Sequence, residues 1–325
     1  MNVDLTPLDT ENRLLFHIPL KPIQGSRFQP TGFPSLGAAT FQTPEGRSLL
    51  VESAQSMANR LELTIWDEAN DDLKTEFQGL SHVRVIRNGE FLTDTVREPH
   101  RLNSPYLLEG KDKTFLNMLK REIGVTETGP INRKKLAEGL LKFDVNCLLH
   151  GVFLAKKDLA GGRLRLARSL SAFIEADGVQ VAASGGVKND HVNPQGDTTA
   201  GFGNVPFARD EYTASRITLY ANVDLAQIRG FGLGNAVERL LALLALYKLR
   251  ALTAEGLRLR TACDLYVEDE KIVATSPRGW PLPEIGVLME DVRSAITTCK
   301  DRMVVEEVNY PDEFKKGKGE PEAGD

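Results

Sequence analysis

Five polar side chains between residues 53 and 60 are spaced so that they share one side of a helix. Ser53, Ser56 and Arg60 fall at positions i, i+3 and i+7, and Gln55 and Asn59 lie beside them four residues apart. Hydroxyls, amides and a guanidinium on one face suit the phosphates and exposed base edges of a nucleic acid. The pattern also fits an ordinary amphipathic helix with Ser53 as its N-cap. The spacing predicts a helix and leaves both roles for its polar face open.

A second candidate binding region is the run 156–168, which is rich in basic residues. Its basic side chains, set against the single acid Asp158, are Lys156, Lys157, Arg163, Arg165 and Arg168. Arg163 and Arg165 alternate with leucines, which predicts a strand with both guanidinium groups on one face. The whole chain has a formal net charge of −5, so any nucleic-acid site must be a local basic stripe on an otherwise acidic molecule.

The stretch 24–37 is predicted to be a loop, because it is rich in Gly, Pro, Ser and aromatic residues. Arg27, Phe28 and Gln29 lie at its centre. A basic residue beside an aromatic one in a flexible loop could clamp a single strand of nucleic acid. A well-packed surface loop is the alternative that the residues alone leave open.

Two glycine-containing stretches could bring the backbone close to a phosphate. In Ser184–Lys188 the glycines Gly185 and Gly186 permit a close approach, and Lys188 could neutralise the phosphate. A flexible turn is the alternative, and the spacing is not that of a nucleotide-binding P-loop. The glycines of 230–234 precede a predicted helix, but the third is misplaced for a dinucleotide fingerprint. A nucleotide-binding enzyme is therefore only a second alternative.

Motifs for catalysis and metal binding are scarce in this sequence. It has no Ser–His–Asp pattern, no HExxH motif and no paired carboxylates, and its three cysteines are far apart. We therefore predict no catalytic residue, no metal and no cofactor. His150 lies in an apolar run and is expected to be a core histidine.

The elements that must position these residues follow from hydrophobic patterning and turn signals. Strands are predicted over 13–20, 145–155, 178–183, 215–223, 257–267 and 271–275, with a hairpin over 82–96 that turns at Asn88-Gly89. Helices are predicted over 53–65, 116–123, 133–141, 235–252 and 283–300, and a long polar loop over 189–213. This order of elements predicts an α+β fold.

Length and composition are those of a globular protein. The chain has 325 residues, of which 41% are hydrophobic and 26% charged, enough for one large domain with insertions or for two ordinary domains. The longest apolar run, Leu240–Tyr247, is too short to span a bilayer. The first residues lack the basic and apolar regions of a signal peptide. We therefore expect a cytoplasmic protein.

Several segments together resemble a known family. In chain order they are FHIPLKPIQGSRFQPTGFPSLGAA at 16–39, LVESAQSMANRLE at 50–62, EPHRLNSPYL at 98–107, RLRLARSLSAFIEA at 163–176 and SGGVKND at 184–190. They resemble the backbone subunit of the type I-G (formerly I-U) CRISPR Cascade effector complex, a member of the Cas seven family in the RAMP superfamily. The segments come in the order expected for that family and cover most of residues 12–300.

The resemblance implies a fold and a domain organisation. It implies a modified RRM or ferredoxin-like palm over 12–310, with a helical insertion at about 66–143 and an extended thumb at about 188–214. The thumb would carry apolar wedge residues at its tip, namely Phe202, Val205 and Phe207. The charged segment 311–325 is predicted to be a disordered tail.

The resemblance also implies a function and a set of site residues. Several copies would stack in a helical filament along a CRISPR guide RNA (crRNA) and present it for pairing with target DNA in antiviral defence, beside other Cascade subunits. The RNA-binding residues would be Arg27, Gln29, Ser53, Gln55, Ser56, Asn59, Arg60, Arg163, Arg165, Arg168, Gly185, Gly186 and Lys188. The first alternative is an RNA-processing or target-cleaving ribonuclease of the same superfamily. Asp190, beside His191, would be its weak catalytic candidate.

Overall fold

The computed structural model describes residues 3–33, 37–125, 128–254, 257–269 and 271–313, without the side chain of Phe33. The chain divides into two compact units. The first consists of the chain up to Ile65 with Ser169–Gly230 and Arg239–Arg293; the second consists of Trp66–Arg168, Phe231–Glu238 and the chain from Ser294 onward. The second unit thus starts at the residue where the predicted insertion starts. Most of the predicted tail, residues 314–325, lies outside the described residues.

The strands are numbered in chain order. They are β1 (Arg13–Pro22), β2 (Gly32–Phe33), β3 (Gly37–Ala38), β4 (Thr40–Thr43), β5 (Gly46–Glu52), β6 (Trp66–Asp67), β7 (Asp72–Leu73), β8 (His82–Arg87), β9 (Glu90–Asp94), β10 (Val152–Leu154), β11 (Leu164–Leu166), β12 (Leu170–Asp177), β13 (Gln180–Lys188), β14 (Val205–Thr213), β15 (Arg216–Asp224), β16 (Leu257–Arg260), β17 (Cys263–Val267) and β18 (Val305–Asn309).

The helices are numbered in the same way. They are α1 (Ala54–Leu63), α2 (Pro105–Leu108), α3 (Thr114–Ile123), α4 (Arg133–Phe143), α5 (Asn146–His150), α6 (Leu225–Gly230), α7 (Asn235–Ala254) and α8 (Ile285–Cys299). Short 3-10 turns lie at Thr6–Leu8, Thr75–Phe77, Arg101–Asn103, Ala160–Gly162 and Lys300–Arg302. Strands and helices are mixed along the chain, which confirms the α+β prediction at that level.

The first unit is built on a seven-stranded sheet with the order β16-β17-β1-β15-β12-β5-β4, in which every neighbouring pair is antiparallel. Alternation along β1 shows why one face is the core face: Leu14, Phe16, Ile18 and Leu20 are buried, while His17 between them is exposed. The strands predicted over 13–20 and 215–223 are confirmed.

Two predicted helices contribute to this core. Helix α1 packs against β12, and its Met57, Ala58 and Leu61 are buried. In α7 every residue from Leu240 to Leu249 is buried, as expected for a helix that is apolar nearly all round. Even so, none of the helices within the described ranges is long and apolar enough to cross a membrane.

The β13–β14 hairpin of the first unit corrects two predictions. Its strands pair from Gln180↔Thr213 to Lys188↔Val205, so Ser184–Lys188 is strand and not a turn, and the predicted polar loop shortens to 189–204. These segments lack the apolar alternation of a half-buried strand because the hairpin is exposed on both faces along most of its length. The predicted strand over 271–275 is also wrong, since Val273 makes only an isolated bridge to Pro281.

In the second unit β8 pairs antiparallel with β9 and parallel with β18, which the sequence did not predict. Asn88 and Gly89 adopt φ of 55° and 83°, as a two-residue hairpin turn with two left-handed positions requires. The predicted hairpin is therefore confirmed. Helices α3 and α4 are also confirmed; they pack on each other through the rings of Phe115 and Phe143, whose centroids are 5.5 Å apart.

The predicted strand over 145–155 is wrong for most of its length. Residues 146–150 form α5, and only Val152–Leu154 is strand. Gly151, at a φ of 76°, makes the break between them. A short run that is apolar throughout has no period, so it does not distinguish a buried helix from a buried strand. His150 is 1% exposed, which confirms it as a core residue.

Candidate nucleic-acid interface

The loop around Phe28 is anchored to two other parts of the first unit. Phe28 and Tyr212 exchange backbone N–H···O bonds of 2.9 Å each, and the Gln29 amide donates to the Ala262 carbonyl at 2.7 Å. Phe28 is 1% exposed. The expectation of an aromatic clamp in a flexible loop is therefore wrong for Phe28, because its ring belongs to the core and has no face left for a base.

Arg27, the neighbour of Phe28, remains exposed. Its guanidinium donates to the carbonyl of Ala183 in β13 at 3.4 Å. The anchored loop thus brings Arg27 to the base of the β13–β14 hairpin, two residues from Gly185. These two parts of the predicted set, distant in sequence, do lie together.

Helix α1 uses part of its polar face internally. The Ser53 hydroxyl oxygen accepts a hydrogen bond from the Ser56 amide at 3.3 Å, as an N-cap does. The Gln55 side-chain amide donates to Asn59 Oδ1 at 3.1 Å. Gln55 is exposed, whereas Ser53, Ser56 and Asn59 are half-buried. The structural reading of Ser53 as a cap is confirmed.

Arg60 does not point outward as expected from its helical spacing. Its guanidinium donates to the carbonyl of Leu259 at 2.7 Å and lies 3.8 Å from the carboxylate of Glu52. Glu52 is 2% exposed and also pairs with Arg260, which donates to the Gln29 carbonyl at 2.8 Å. A buried carboxylate needs such partners. Arg60 therefore belongs to a charged cluster that ties α1 to β16, and only about a third of its side chain is exposed.

One face of the hairpin combines cations with an aromatic ring. Because side chains alternate along a strand and Gly186 pairs with Phe207, the residues Lys188, Phe207 and Arg209 point to the same side. All three are exposed, and Arg209 pairs with Glu211 at 2.8 Å. A Cβ added at Gly186 would lie 3.2 Å from the nearest atom of the Phe207 ring. The space above Gly186 is thus taken by Phe207 and not left open for a phosphate.

The loop at the end of the hairpin is organised by Asp190. Its carboxylate accepts from the amides of Val192, Asn193 and Gly203 at 2.9, 3.0 and 2.9 Å. The amides of Asn193, Gly203 and Val192 lower the pKa of Asp190 below its usual value. A carboxylate held in this way stabilises the loop and is poorly placed to act as a base. Of the predicted wedge residues, Phe202 lies in this loop and is 54% exposed, whereas Val205 and Phe207 belong to β14.

The basic run of the second unit takes a different form from the one predicted. Strand β11 contains only Leu164–Leu166, and Arg163 precedes it with helical backbone angles. Arg163 and Arg165 therefore do not alternate along one strand; Arg163 Nε instead donates to the Ala160 carbonyl at 2.9 Å. Both arginines are exposed, and Arg168 is half-buried. Arg165 lies over the ring of Phe153 on β10, with 4.3 Å between its guanidinium carbon and the ring centroid.

Sequence reasoning missed Phe153, Arg209 and Glu52 as contributors to these surfaces. Phe153 falls in the predicted buried strand over 145–155. The strand it really belongs to has three residues, too few for the sequence to show which side chains point inward and which outward. Arg209 falls in the predicted polar loop. In the structure it pairs with Ser184, whose side chain lies on the same face of β13 as that of Lys188. Among the residues that the structure describes, no group of three or more His, Cys, Asp or Glu side chains could hold a metal ion.

This chain has structural neighbours of low sequence identity. The curated proteins contain no match to this chain. One solved structure, "CRISPR RNA-guided surveillance complex, pre-nicking", has a chain that is 13% identical with a TM-score of 0.37, the match covering 78% of this chain and 75% of that one. Csc2 from Thermofilum pendens is 9% identical with a TM-score of 0.33, over 93% and 79% of the two chains.

Neither TM-score reaches the level that indicates a shared fold, so these two likenesses do not bear on the assignment. The sequence comparison does. The model of a family described as CRISPR-associated protein GSU0053 matches residues 14–181, which is just over half of the chain. The chain therefore belongs to the CRISPR-associated protein GSU0053 family.

Proposed function

We propose that this protein is the non-catalytic, crRNA-binding backbone subunit of a type I-G CRISPR Cascade complex, in the Cas seven family. In this role several copies bind along one guide RNA, assemble with other Cascade subunits in the cytoplasm and present the bases for pairing with target DNA. Membership of a CRISPR-associated family supports the setting. The exposed hairpin with a basic and aromatic face supports the RNA contact.

The sheet of the first unit supports an RRM or ferredoxin-like palm. If the elements inserted between them are left out, the chain order is strand, helix, two strands, helix and strand, formed by β1, α1, β12, β15, α7 and β17. The four strands lie side by side in the order β17-β1-β15-β12, so the first strand is central and the last is beside it. That is the ordering of a split βαβ arrangement. In this proposal the second unit contains the helical insertion, and the β13–β14 hairpin with its loop is the thumb.

The observation that carries the proposed function is the hairpin face of Lys188, Phe207 and Arg209. Cations flanking an exposed ring can bind a single strand of nucleic acid, because the cations neutralise phosphates and the ring stacks on a base. Arg27 reaches the same hairpin. Gln29, Gln55, Asn59, Arg163, Arg165 and Arg168 complete the proposed contacts. Five further residues contribute less to RNA binding in this proposal, because each already has a structural role in the helix cap, the charged cluster or the hairpin. They are Ser53, Ser56, Arg60, Gly185 and Gly186.

The proposal is tested by removing the two cations of the hairpin face. The full-length double variant Lys188→Ala/Arg209→Ala should bind guide RNA more weakly. On a single strand, the slope of log affinity against log salt should become shallower by about 0.7 for each phosphate that the variant no longer neutralises. The matched control is Lys271→Ala/Arg278→Ala, which removes the same charge from other positions of the first unit.

The control should bind RNA like the wild type. Equal reductions in affinity for the two double variants would mean that RNA responds only to overall charge, and the hairpin face would have no special part in binding. A wild-type protein that shows no affinity for guide RNA at low salt would contradict the proposed function as a whole.

A further inference from the structure

Phe153 is an aromatic residue on the outward face of the short β10–β11 hairpin in the second unit. Its neighbours Val152 and Leu154 are buried, and so is Leu164 on β11. Phe153 itself is 42% exposed. The hairpin thus covers the core with one face and presents a large ring to solvent with the other. A single exposed ring is common on protein surfaces, so its role depends on what lies beside it.

Arg165 is the cross-strand partner of Phe153 and is also exposed. Its guanidinium carbon lies 4.3 Å from the centroid of the ring, within the range of a cation–π contact. Guanidinium groups and aromatic rings are both flat surfaces on which a nucleobase can stack. The pair therefore combines two stacking groups and one positive charge in a single exposed patch.

The position of this patch is fixed by hydrogen bonds from the 3-10 turn Arg101–Asn103. The Asn103 side-chain oxygen accepts from the Ala155 amide at 2.9 Å, just after β10. Arg101 donates to the Gly151 carbonyl at 3.2 Å, just before it. Both ends of the strand that carries Phe153 are held, so a ligand would meet a surface that is already in place and would lose little entropy in ordering it.

The charges nearby select the kind of ligand. Lys157 and Arg163 are exposed, and neither forms an ion pair with a carboxylate in the described part of the chain. Lys156, by contrast, is paired with Glu109 at 2.8 Å. Cations without a carboxylate partner, in the segment that joins the two strands of the stacking surface, match a polyanion whose flat bases are unpaired. An acidic protein segment would satisfy the charges but would bring no flat base to stack on the ring or the guanidinium.

We propose that Phe153 and Arg165 form a stacking platform for an unpaired base of a single-stranded nucleic acid, with Lys157 and Arg163 neutralising the flanking phosphates. The inference rests on the proposed function and adds to it a contact with a base in the second unit. It identifies Phe153 as a ligand-binding residue and gives Arg165 a role that its charge alone would not fill.

The test uses full-length protein and three labelled probes of about ten nucleotides, a length within the range of single-strand sites. They are oligouridine RNA, an abasic RNA of equal length and charge, and oligothymidine DNA. Phe153→Leu keeps an apolar side chain without the ring, and Arg165→Lys keeps the charge without the guanidinium. Each should weaken oligouridine binding roughly fivefold to a hundredfold, as expected when base stacking is removed. Each should leave abasic RNA binding unchanged.

The matched control is Phe41→Leu, at an exposed ring on β4. It should bind all three probes like the wild type. Weaker binding of oligouridine alone would assign the platform to RNA, and weaker binding of both base-containing probes would assign it to any single strand; both outcomes support stacking. Equal weakening on base-containing and abasic probes would overturn the proposal, and so would wild-type binding by both variants.

The stacking platform and the proposed function can fail independently of each other. If Lys188→Ala/Arg209→Ala weakens RNA binding while Phe153→Leu and Arg165→Lys do not, guide-RNA binding stands and the platform fails. If the wild type binds neither these probes nor guide RNA at low salt, both fail together.

Discussion

At the scale of single residues, hydrogen bonds decide which polar groups are available to a ligand. Arg60 has the spacing of an outward-facing residue, but it donates to the Leu259 carbonyl and lies beside the buried Glu52. Lys188 has no comparable spacing signal, yet it is exposed on the hairpin. The sequence could predict that residues of these types take part in a polar surface. It could not predict which ones are used internally, because Leu259 and Arg260 lie about 200 residues along the chain from Glu52 and Arg60.

Asp190 shows the same effect and makes a prediction about pH. Its folded-state pKa is lowered by the backbone amides of Asn193, Gly203 and Val192. A carboxyl with a depressed pKa stabilises the folded loop above its unfolded-state value of about 4, and that contribution is lost as the pH falls through the folded-state pKa. We expect the hydrogen-exchange protection of Val192, Asn193 and Gly203 to fall in acid. Exchange measured by NMR, corrected for intrinsic rates, would show this.

Asp190→Asn should lower the protection of these amides several-fold near neutral pH and remove most of its pH dependence, since an amide nitrogen cannot accept the Gly203 bond. Asp197→Asn is the control in the same loop. Asp197 accepts from Thr199 instead, so its replacement should affect Thr199 and spare Gly203. Unchanged protection at Gly203 in Asp190→Asn would show that the carboxylate does not organise the loop.

At the scale of elements, the sequence predicted those with strong local signals. The α7 helix has a long apolar run, and the β8–β9 hairpin has an Asn-Gly turn. The β13–β14 hairpin has neither, since Ser184–Lys188 is small and polar and is strand only because Val205–Arg209 pairs with it. The tertiary partner, and not local propensity, determines this element. The hairpin that carries the proposed function was therefore the hardest part of the site to predict.

Gly185 should be essential to that hairpin. An added Cβ would lie 2.6 Å from the carbonyl oxygen of Phe207, which is a backbone atom of the facing strand. We expect Gly185→Ala to separate the strands locally and to cost the hairpin about 1 kcal/mol or more. Hydrogen exchange along β13 and β14 should rise, while the seven-stranded sheet keeps its protection. Gly230→Ala is the matched control, because a Cβ there meets nothing within 4 Å. Equal protection in the two variants would contradict this account.

At the scale of the whole molecule, the net charge of −5 sets a limit on binding by one copy. The hairpin face offers two cations, one of which is paired with Glu211. The β10–β11 region offers a few more. A single subunit can therefore neutralise only a few phosphates, and long-range attraction to RNA is weak. An assembly in which neighbouring copies also contact one another would not depend on charge alone.

We therefore expect RNA binding to be cooperative and to depend on RNA length. Very short RNA should bind poorly, and affinity per site should rise steeply once several copies fit, because contacts between copies add to each RNA contact. Titrations with RNA of increasing length, with sedimentation to count the bound copies, would measure this. Deleting Asn193–Pro206 removes most of the loop at the end of the hairpin, including the exposed Phe202, together with the first two residues of β14. This variant should keep the weak binding to short RNA and lose the rise with length. A wild-type affinity per site that is the same for short and long RNA would show that the subunits bind independently.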